Sequence, residues 1–256
     1  IYLHLAGAKS GVYVYINGQE VGYSEDSKNS AEFLINKFVK PGKNVLTLKI
    51  YRWSTGSYLE CQDFWRISGI ERDVFLYSQP KAALKDFRVT STLDDTYKDG
   101  IFKLGVDLRN NGSTAGNMTL VYELLDANGK VVATGEKATN VAAGETRTVS
   151  FDQTLPDVKT WTSEAPDLYK LVMTVKENGK VNEIIPFNVG FRRIEIKPTE
   201  QLARNGKPYV CLFINGQPLK LKGVNIHEHN PATGHYMTEE LMRKDFELMK
   251  QHNLNT

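Results

Sequence analysis

Asn-Gly pairs recur along this chain between runs that alternate apolar and polar residues. Both residues of such a pair tolerate positive φ, which the tightest antiparallel turn requires, so each pair fixes where two strands reverse. Val12-Tyr13-Val14-Tyr15-Ile16 leads into Asn17-Gly18 and returns as Gln19-Glu20-Val21-Gly22-Tyr23. Ala31-Glu32-Phe33 through Phe38-Val39 follows, then the turn Lys40-Pro41-Gly42-Lys43 and the strand Asn44–Tyr51. Residues 1–80 therefore read as an all-β sandwich of short strands.

Gln79-Pro80-Lys81 reads as a linker into a second β region over residues 81–193. Turn signals at Asn111-Gly112, Asn128-Gly129 and Asn178-Gly179 separate strands over Phe102–Leu108, Met118–Leu125, Val131–Thr134, Thr146–Phe151 and Leu168–Val175. One strand in roughly 8–15 residues suits an immunoglobulin-like sandwich of about 100 residues. From Ile194 the pattern changes. Asn215-Gly216 makes another hairpin, and Leu219–Val224 is expected to be a strand. Thr238 is the expected N-cap of a helix with Glu239 and Glu240 in its first turn, where carboxylates favour the helix dipole. Met242, Phe246, Met249 and Asn253, flanked by Leu241, Leu248 and Leu254, set an apolar stripe through His252. One strand and one helix close no core, so residues 194–256 read as the first unit of a β/α barrel. The expected fold is thus mainly β, in three parts.

Composition excludes several function classes. The 32 basic residues nearly balance the 30 acidic ones, and no basic run stands out, which speaks against a nucleic-acid partner. No stretch approaches the ~20 apolar residues that span a bilayer, so no membrane partner is expected. Cys61 and Cys211 lie far apart and form no metal or redox spacing. The chain opens at Ile1 in mid-strand without an initiator Met, so the true N-terminus is expected upstream. The compartment stays open between cytoplasm and periplasm.

Two stretches concentrate chemistry. Trp53-Ser54-Thr55-Gly56-Ser57-Tyr58-Leu59-Glu60-Cys61-Gln62-Asp63-Phe64-Trp65-Arg66 packs aromatics, carboxylates and an arginine onto one inter-strand loop. It reads either as a loop pinned by aromatic packing with Asp63 and Arg66 paired, or as a sugar rim. In the second reading rings stack on pyranose faces and carboxylates accept hydroxyl hydrogen bonds or bind a hard cation. The residues alone do not choose. His227-Glu228-His229 supplies two imidazoles but no third ligand, which disfavours a metal centre. Its place just past a barrel strand is where barrel enzymes put substrate-binding groups. Gly190-Phe191-Arg192-Arg193 reads as a packed junction, Trp161 and Tyr169 as core or interface, and Glu20, Glu25 and Asp26 as ordinary exposed charges. Nucleophile elbow, P-loop, dinucleotide fingerprint and HExxH are all missing.

Taken in order, these stretches resemble the β-galactosidases of glycoside hydrolase family two. Tyr58-Leu59-Glu60-x-Gln62-Asp63-x-Trp65-Arg66-x-Ser68-Gly69-Ile70-x-Arg72-Asp73-Val74 is similar to the end of that family's N-terminal jelly roll. Trp161-x-x-Glu164-x-Pro166-x-Leu168-Tyr169 and Val189-Gly190-Phe191-Arg192 are similar to its immunoglobulin-like domain. Asn215-Gly216-x-Pro218 and Gly223-Val224-Asn225-x-His227-Glu228-His229-x-Pro231 are similar to the opening of its catalytic barrel. The Tyr-Leu-Glu-x-Gln-Asp-x-Trp loop and His-Glu-His-x-Pro favour the galactosidase branch over sibling glucuronidases and mannosidases.

The resemblance implies a partial jelly roll over 1–80, an immunoglobulin-like sandwich over 81–193 and the start of a (β/α)8 barrel over 194–256. It implies that Asp63 contacts galactose hydroxyls and a sodium ion, and that His227 helps stabilise the transition state. The nucleophilic and acid/base glutamates and the magnesium ligands of the family find no counterpart in this chain. Retaining glycosidases need two carboxylates ~5–5.5 Å apart, so the isolated chain is expected to be inactive. Glu228, with no partner carboxylate, reads as a structural residue of its loop. The substrate implied is a β-galactoside, in a full-length protein that self-associates. A sibling β-glycosidase and a non-catalytic carbohydrate-binding sandwich are the alternatives.

Overall fold

The computed structural model describes residues 1–60 and 65–256. The chain divides into two compact units, Ile1–Gln79 with Lys222–Thr256, and Pro80–Leu221.

The first unit holds β1 (Tyr2–Leu5), β2 (Ala8–Lys9), β3 (Gly11–Ile16), β4 (Gln19–Glu25), β5 (Ala31–Leu34), β6 (Leu46–Tyr51), α1 (Thr55–Glu60), β7 (Gly69–Ile70), β8 (Val74–Tyr77) and α2 (Glu239–Gln251). Two antiparallel sheets, in orders β5-β1-β8 and β4-β3-β6, share one core. Alternation builds it: Leu3 and Leu5 on β1 and Val12, Val14 and Ile16 on β3 point inward and are buried. The β3–β4 reversal uses Asn17 and Gly18 at φ 53° and 81°, as a primed hairpin turn requires. Asn17 does more than turn. Its amide donates to the Phe38 carbonyl and to Asn44 Oδ1, and its Oδ1 accepts from the Val45 N–H.

The second unit holds β9 (Ala82–Leu93), β10 (Gly100–Asn110), β11 (Gly116–Leu125), β12 (Val131–Val141), β13 (Thr146–Leu155), β14 (Tyr169–Glu177), β15 (Lys180–Val189), β16 (Ile194–Leu202), β17 (Pro208–Ile214) and β18 (Gln217–Pro218). Sheets β13-β10-β9 and β12-β11-β14-β15 form the sandwich, and β16-β17-β18 a third, smaller sheet. Phe102, Leu104, Val106 and Leu108 face Met118, Leu120, Tyr122 and Leu124 across a dry core. Gly190-Phe191-Arg192-Arg193 is a packed junction, as its sequence suggests. Phe191 is buried edge-on to Tyr169, Arg192 covers the Trp161 ring at 4.7 Å, and Arg193 pairs with Asp95. The backbone of Gly190 runs close under Trp161: a Cβ there would lie 3.1 Å from that side chain, which would have to give by a few tenths of an ångström.

Two local expectations fail. Residues 55–60 form the short helix α1 where a loop was expected, its first turn satisfied by Glu25, whose Oε2 accepts from the Gly56 N–H at 2.8 Å. Leu219–Val224 forms no strand. A barrel strand needs hydrogen-bonding neighbours on both edges; here Leu219 N still donates to the Leu212 carbonyl of β17 at 2.7 Å, and the ladder does not continue into residues 220–224. Instead the backbone of Lys222 meets the end of the chain: Lys222 N donates to Asn255 Oδ1, and Asn255 N to the Lys222 carbonyl. The helix between them matches expectation. Thr238 Oγ1 caps α2 by accepting from Leu241 N, and His252 is its C-cap.

Candidate functional site

Three loops of the first unit converge: residues 25–30, residues 52–60 with 65–73, and residues 222–238. Carboxylates fix the framework. Glu60 Oε2 at the end of α1 accepts from the backbone N–H of Ser27 at 3.2 Å, and Glu25 takes the start of the same helix. Asp26 Oδ1 accepts from the N–H groups of Lys28 and Asn29 and turns the chain between them. Glu25 and Asp26 both tie loop backbone together; Glu25 is half-buried and not the exposed charge its sequence suggests, whereas Asp26 is exposed as expected. The Tyr23 hydroxyl, desolvated and bonded to Glu25, is pushed up to about 12.

Lys28 then reaches across to the barrel-opening segment. Its Nζ donates to Glu71 Oε2 at 2.9 Å and to Glu228 Oε2 at 3.2 Å. Arg72 donates to the same Glu228 oxygen at 3.2 Å and to the Lys28 carbonyl at 2.9 Å. Partial burial pushes the Glu228 carboxyl up, but the facing Lys28 and Arg72 outweigh it and hold it below the usual carboxylate range. Glu228 is thus a structural residue of its loop, tied by charge to the sandwich. A cleft of about 510 Å³ runs beside this network, lined by Glu71, Arg72, Glu228, His235, Tyr236 and Met242.

The aromatic loop meets the histidine loop directly. The Trp65 ring lies 4.9 Å from that of His229 and 6.4 Å from that of His235. His229 Nδ1 donates to the His227 carbonyl at 3.0 Å, which folds the His-Glu-His segment onto itself. Trp53 and Tyr58 are exposed, and Arg52 and Arg66 flank the Trp53 ring at 5.4 and 5.3 Å. Exposed rings beside fixed charges offer what a sugar uses: apolar faces and hydrogen-bonding edges. Asp63, the expected sugar and sodium ligand, and its pairing with Arg66 lie outside the described residues. Among the described residues no group of three or more His, Cys, Asp or Glu is arranged to hold a metal ion.

The structure brings the loop of His227 against that of Trp65 through His229 and His235. Lys28, Glu71, Arg72 and His235 join them, and sequence reasoning passed over all four. Arg72 stands inside a quoted motif, but nothing near Lys28 or His235 signals partners some 200 and 170 positions away.

Comparison with known proteins identifies the family. Three models of glycosyl hydrolases family 2 match in chain order: the sugar binding domain over residues 1–80, the family's second domain over 82–192 and the TIM barrel domain over 209–256. In that order they are the architecture of one family: a sugar-binding sandwich, a second sandwich and, over the last residues, the opening part of a TIM barrel domain. The chain belongs to glycoside hydrolase family two. It is 41% identical over its whole length to a β-galactosidase of Priestia megaterium and 40% to one of Halalkalibacterium halodurans. It spans 24% of the length of each of these curated relatives. Among solved structures, a β-glucuronidase of Bacteroides uniformis superposes with a TM-score of 0.86 at 23% identity, over 99% of this chain and 30% of its own. A family 2 member from Bacteroides cellulosilyticus gives 0.81 at 20% identity, over 99% and 33%. Likeness at that identity speaks for the fold alone.

Proposed function

We propose that this chain supplies the sugar-binding sandwich, the immunoglobulin-like sandwich and the barrel opening of a retaining β-galactosidase acting on terminal β-D-galactosides. The observation that carries the reading is full-length identity of about 40% to curated β-galactosidases. The geometry supports it, because the same structure sets the aromatic loop against the His227 loop. In the whole enzyme a galactosyl unit would sit over the barrel mouth, with its hydroxyls facing Asp63 and His227. Asp63 would also give a carboxylate oxygen to a sodium ion. A nucleophilic glutamate would attack the anomeric carbon while a second glutamate protonates the leaving oxygen. Those two residues, and the magnesium ligands of the family, would come from outside these 256 residues. Contacts from Asp63 and His227 that tighten as the ring flattens would lower the barrier more than they lower KM. Self-association of the whole enzyme belongs to the same reading.

The test uses the full-length enzyme with para-nitrophenyl β-D-galactoside and β-D-glucuronide. Turnover of the galactoside over the glucuronide is expected. Asp63→Ala is expected to lower kcat/KM by about a hundredfold or more while leaving Tm within a few degrees. Preference for the glucuronide would assign a sibling specificity. Unfolding of Asp63→Ala would return Asp63 to the pinned-loop reading.

A further inference from the structure

We propose that His235 is a positioning residue for the sugar site, the clamp that sets the distance between the aromatic loop and the histidine loop. The proposal rests on the galactosidase reading. His235 is only 5% exposed, unusual for a polar ring on a loop. One face of its environment is the aromatic loop: Nε2 lies 2.8 Å from the Trp65 carbonyl oxygen. The other is the histidine loop: Nδ1 lies 3.1 Å from the Glu228 carbonyl oxygen. One rigid ring therefore spans two backbones about 160 positions apart in sequence, at fixed length. It holds them by the main chain, next to Trp65 on one side and next to His227 and His229 on the other. Gly234, at φ 68°, supplies the left-handed turn that delivers the ring inward. The Trp65 ring packs over the same corner, against both His229 and His235.

The Lys28–Glu228–Arg72 pairs join the same two parts of the unit, but through half-exposed charges. Exposed pairs are soft and screened. A buried ring held between two carbonyls is stiff; a neutral imidazole donates from one nitrogen and a protonated one from both, and removing the ring takes that donation away, leaving the Trp65 carbonyl with Lys9 Nζ at 3.3 Å. Slippage by a fraction of an ångström between the loops would displace His227 from the sugar that the aromatic loop holds. Catalysis falls steeply with such misplacement, by about a hundredfold for 1 Å.

The experiment compares full-length wild type, His235→Ala and His235→Gln. It reads kcat and KM on para-nitrophenyl β-D-galactoside, inhibition by D-galactose, Tm, and Trp65 emission as the difference from each protein's Trp65→Phe counterpart. His235→Ala is expected to lower kcat/KM by about ten- to a hundredfold, chiefly in kcat, with Tm within a few degrees and Trp65 emission shifted to the red. His235→Gln, whose amide can still donate to one carbonyl, is expected to recover part of the loss. Activity within twofold of wild type in His235→Ala, or losses in both variants that merely track loss of folded protein, would overturn the proposal. Wild type inactive on every galactoside would defeat the galactosidase reading instead. Trp65 emission unchanged by His235→Ala would defeat the clamp whatever the activity.

Discussion

At the residue scale the chain places carboxylates where backbone N–H groups need acceptors. Asp94 shows it most plainly. It sits in the Asp94-Asp95-Thr96-Tyr97-Lys98-Asp99 turn between β9 and β10. Thr96 Oγ1 donates to its Oδ2 at 2.6 Å, and the N–H groups of Lys98 and Asp99 donate to its Oδ1, each at 3.0 Å. The threonine bond first, joined by the backbone donors, outweighs the opposing desolvation and lowers its carboxyl to about 2. A carboxyl depressed on folding adds stability at every pH above its unfolded value and loses it as pH falls toward the folded value. The Asp94 side-chain carboxyl signal is therefore expected to titrate with a midpoint near 2. Asp94→Asn, which keeps an acceptor but cannot titrate, is expected to remove this part of the acid destabilisation. A midpoint in the ordinary aspartate range would show that these three bonds do not hold in solution.

At the element scale, Asn17-Gly18 and Asn178-Gly179 share a backbone turn but not a workload. Both asparagines have φ near 50°, so alanine at either position meets the left-handed penalty of about 1–2 kcal/mol. Asn17 also makes three side-chain hydrogen bonds to Phe38, Asn44 and Val45 that hold the segment before β6. Each such bond contributes about 0.5–1.5 kcal/mol. Asn17→Ala is expected to lower unfolding free energy in urea by about 2 kcal/mol more than Asn178→Ala. Equal losses would mean that the bonds exchange freely with water. The turn itself was legible in the sequence, because Asn-Gly at positive φ is a local property. So was α2, whose cap, charged first turn and apolar stripe all lie within one short stretch. What stayed hidden was non-local. Helix α1 takes part of its cap from Glu25 on another strand, beside the local Ser54–Ser57 bonds. The Leu219–Val224 run has strand composition, yet a strand exists only with a partner. His235 and Lys28 acquire their meaning from loops that sequence separates widely, and a motif lists residues without saying which backbone they touch.

At the scale of the whole molecule, burial is unevenly shared. In the second unit the strands between Phe102 and Val175 close a dry core: Phe102, Val106, Leu108, Met118, Leu120, Tyr122, Leu171 and Met173 have no solvent exposure at all. Helix α2 buries none of its residues, and Phe246 on its apolar stripe is 61% exposed. Fully burying one such side chain is worth roughly 1.5–3 kcal/mol, and α2 draws on little of that here. An isolated helix of 13 residues is marginal in water, so its hydrogen bonds rest mainly on the Thr238 cap and the Glu239–Arg243 pair. Amide exchange of the 256-residue chain should therefore separate two classes. Amides of β10, β11 and β14 are expected to open only with global unfolding, whereas those of residues 239–251 open locally and exchange faster by orders of magnitude. Within the slower-exchanging loops, the Glu228 to His235 corner should be better protected than α2, since His235 and the Lys28 pairs anchor it to the sandwich. Helix amides as slow as those of β11, in a monomer, would mean that the exposed stripe of α2 is covered in solution, and the reading of residues 194–256 as an opening unit that awaits barrel partners would fall.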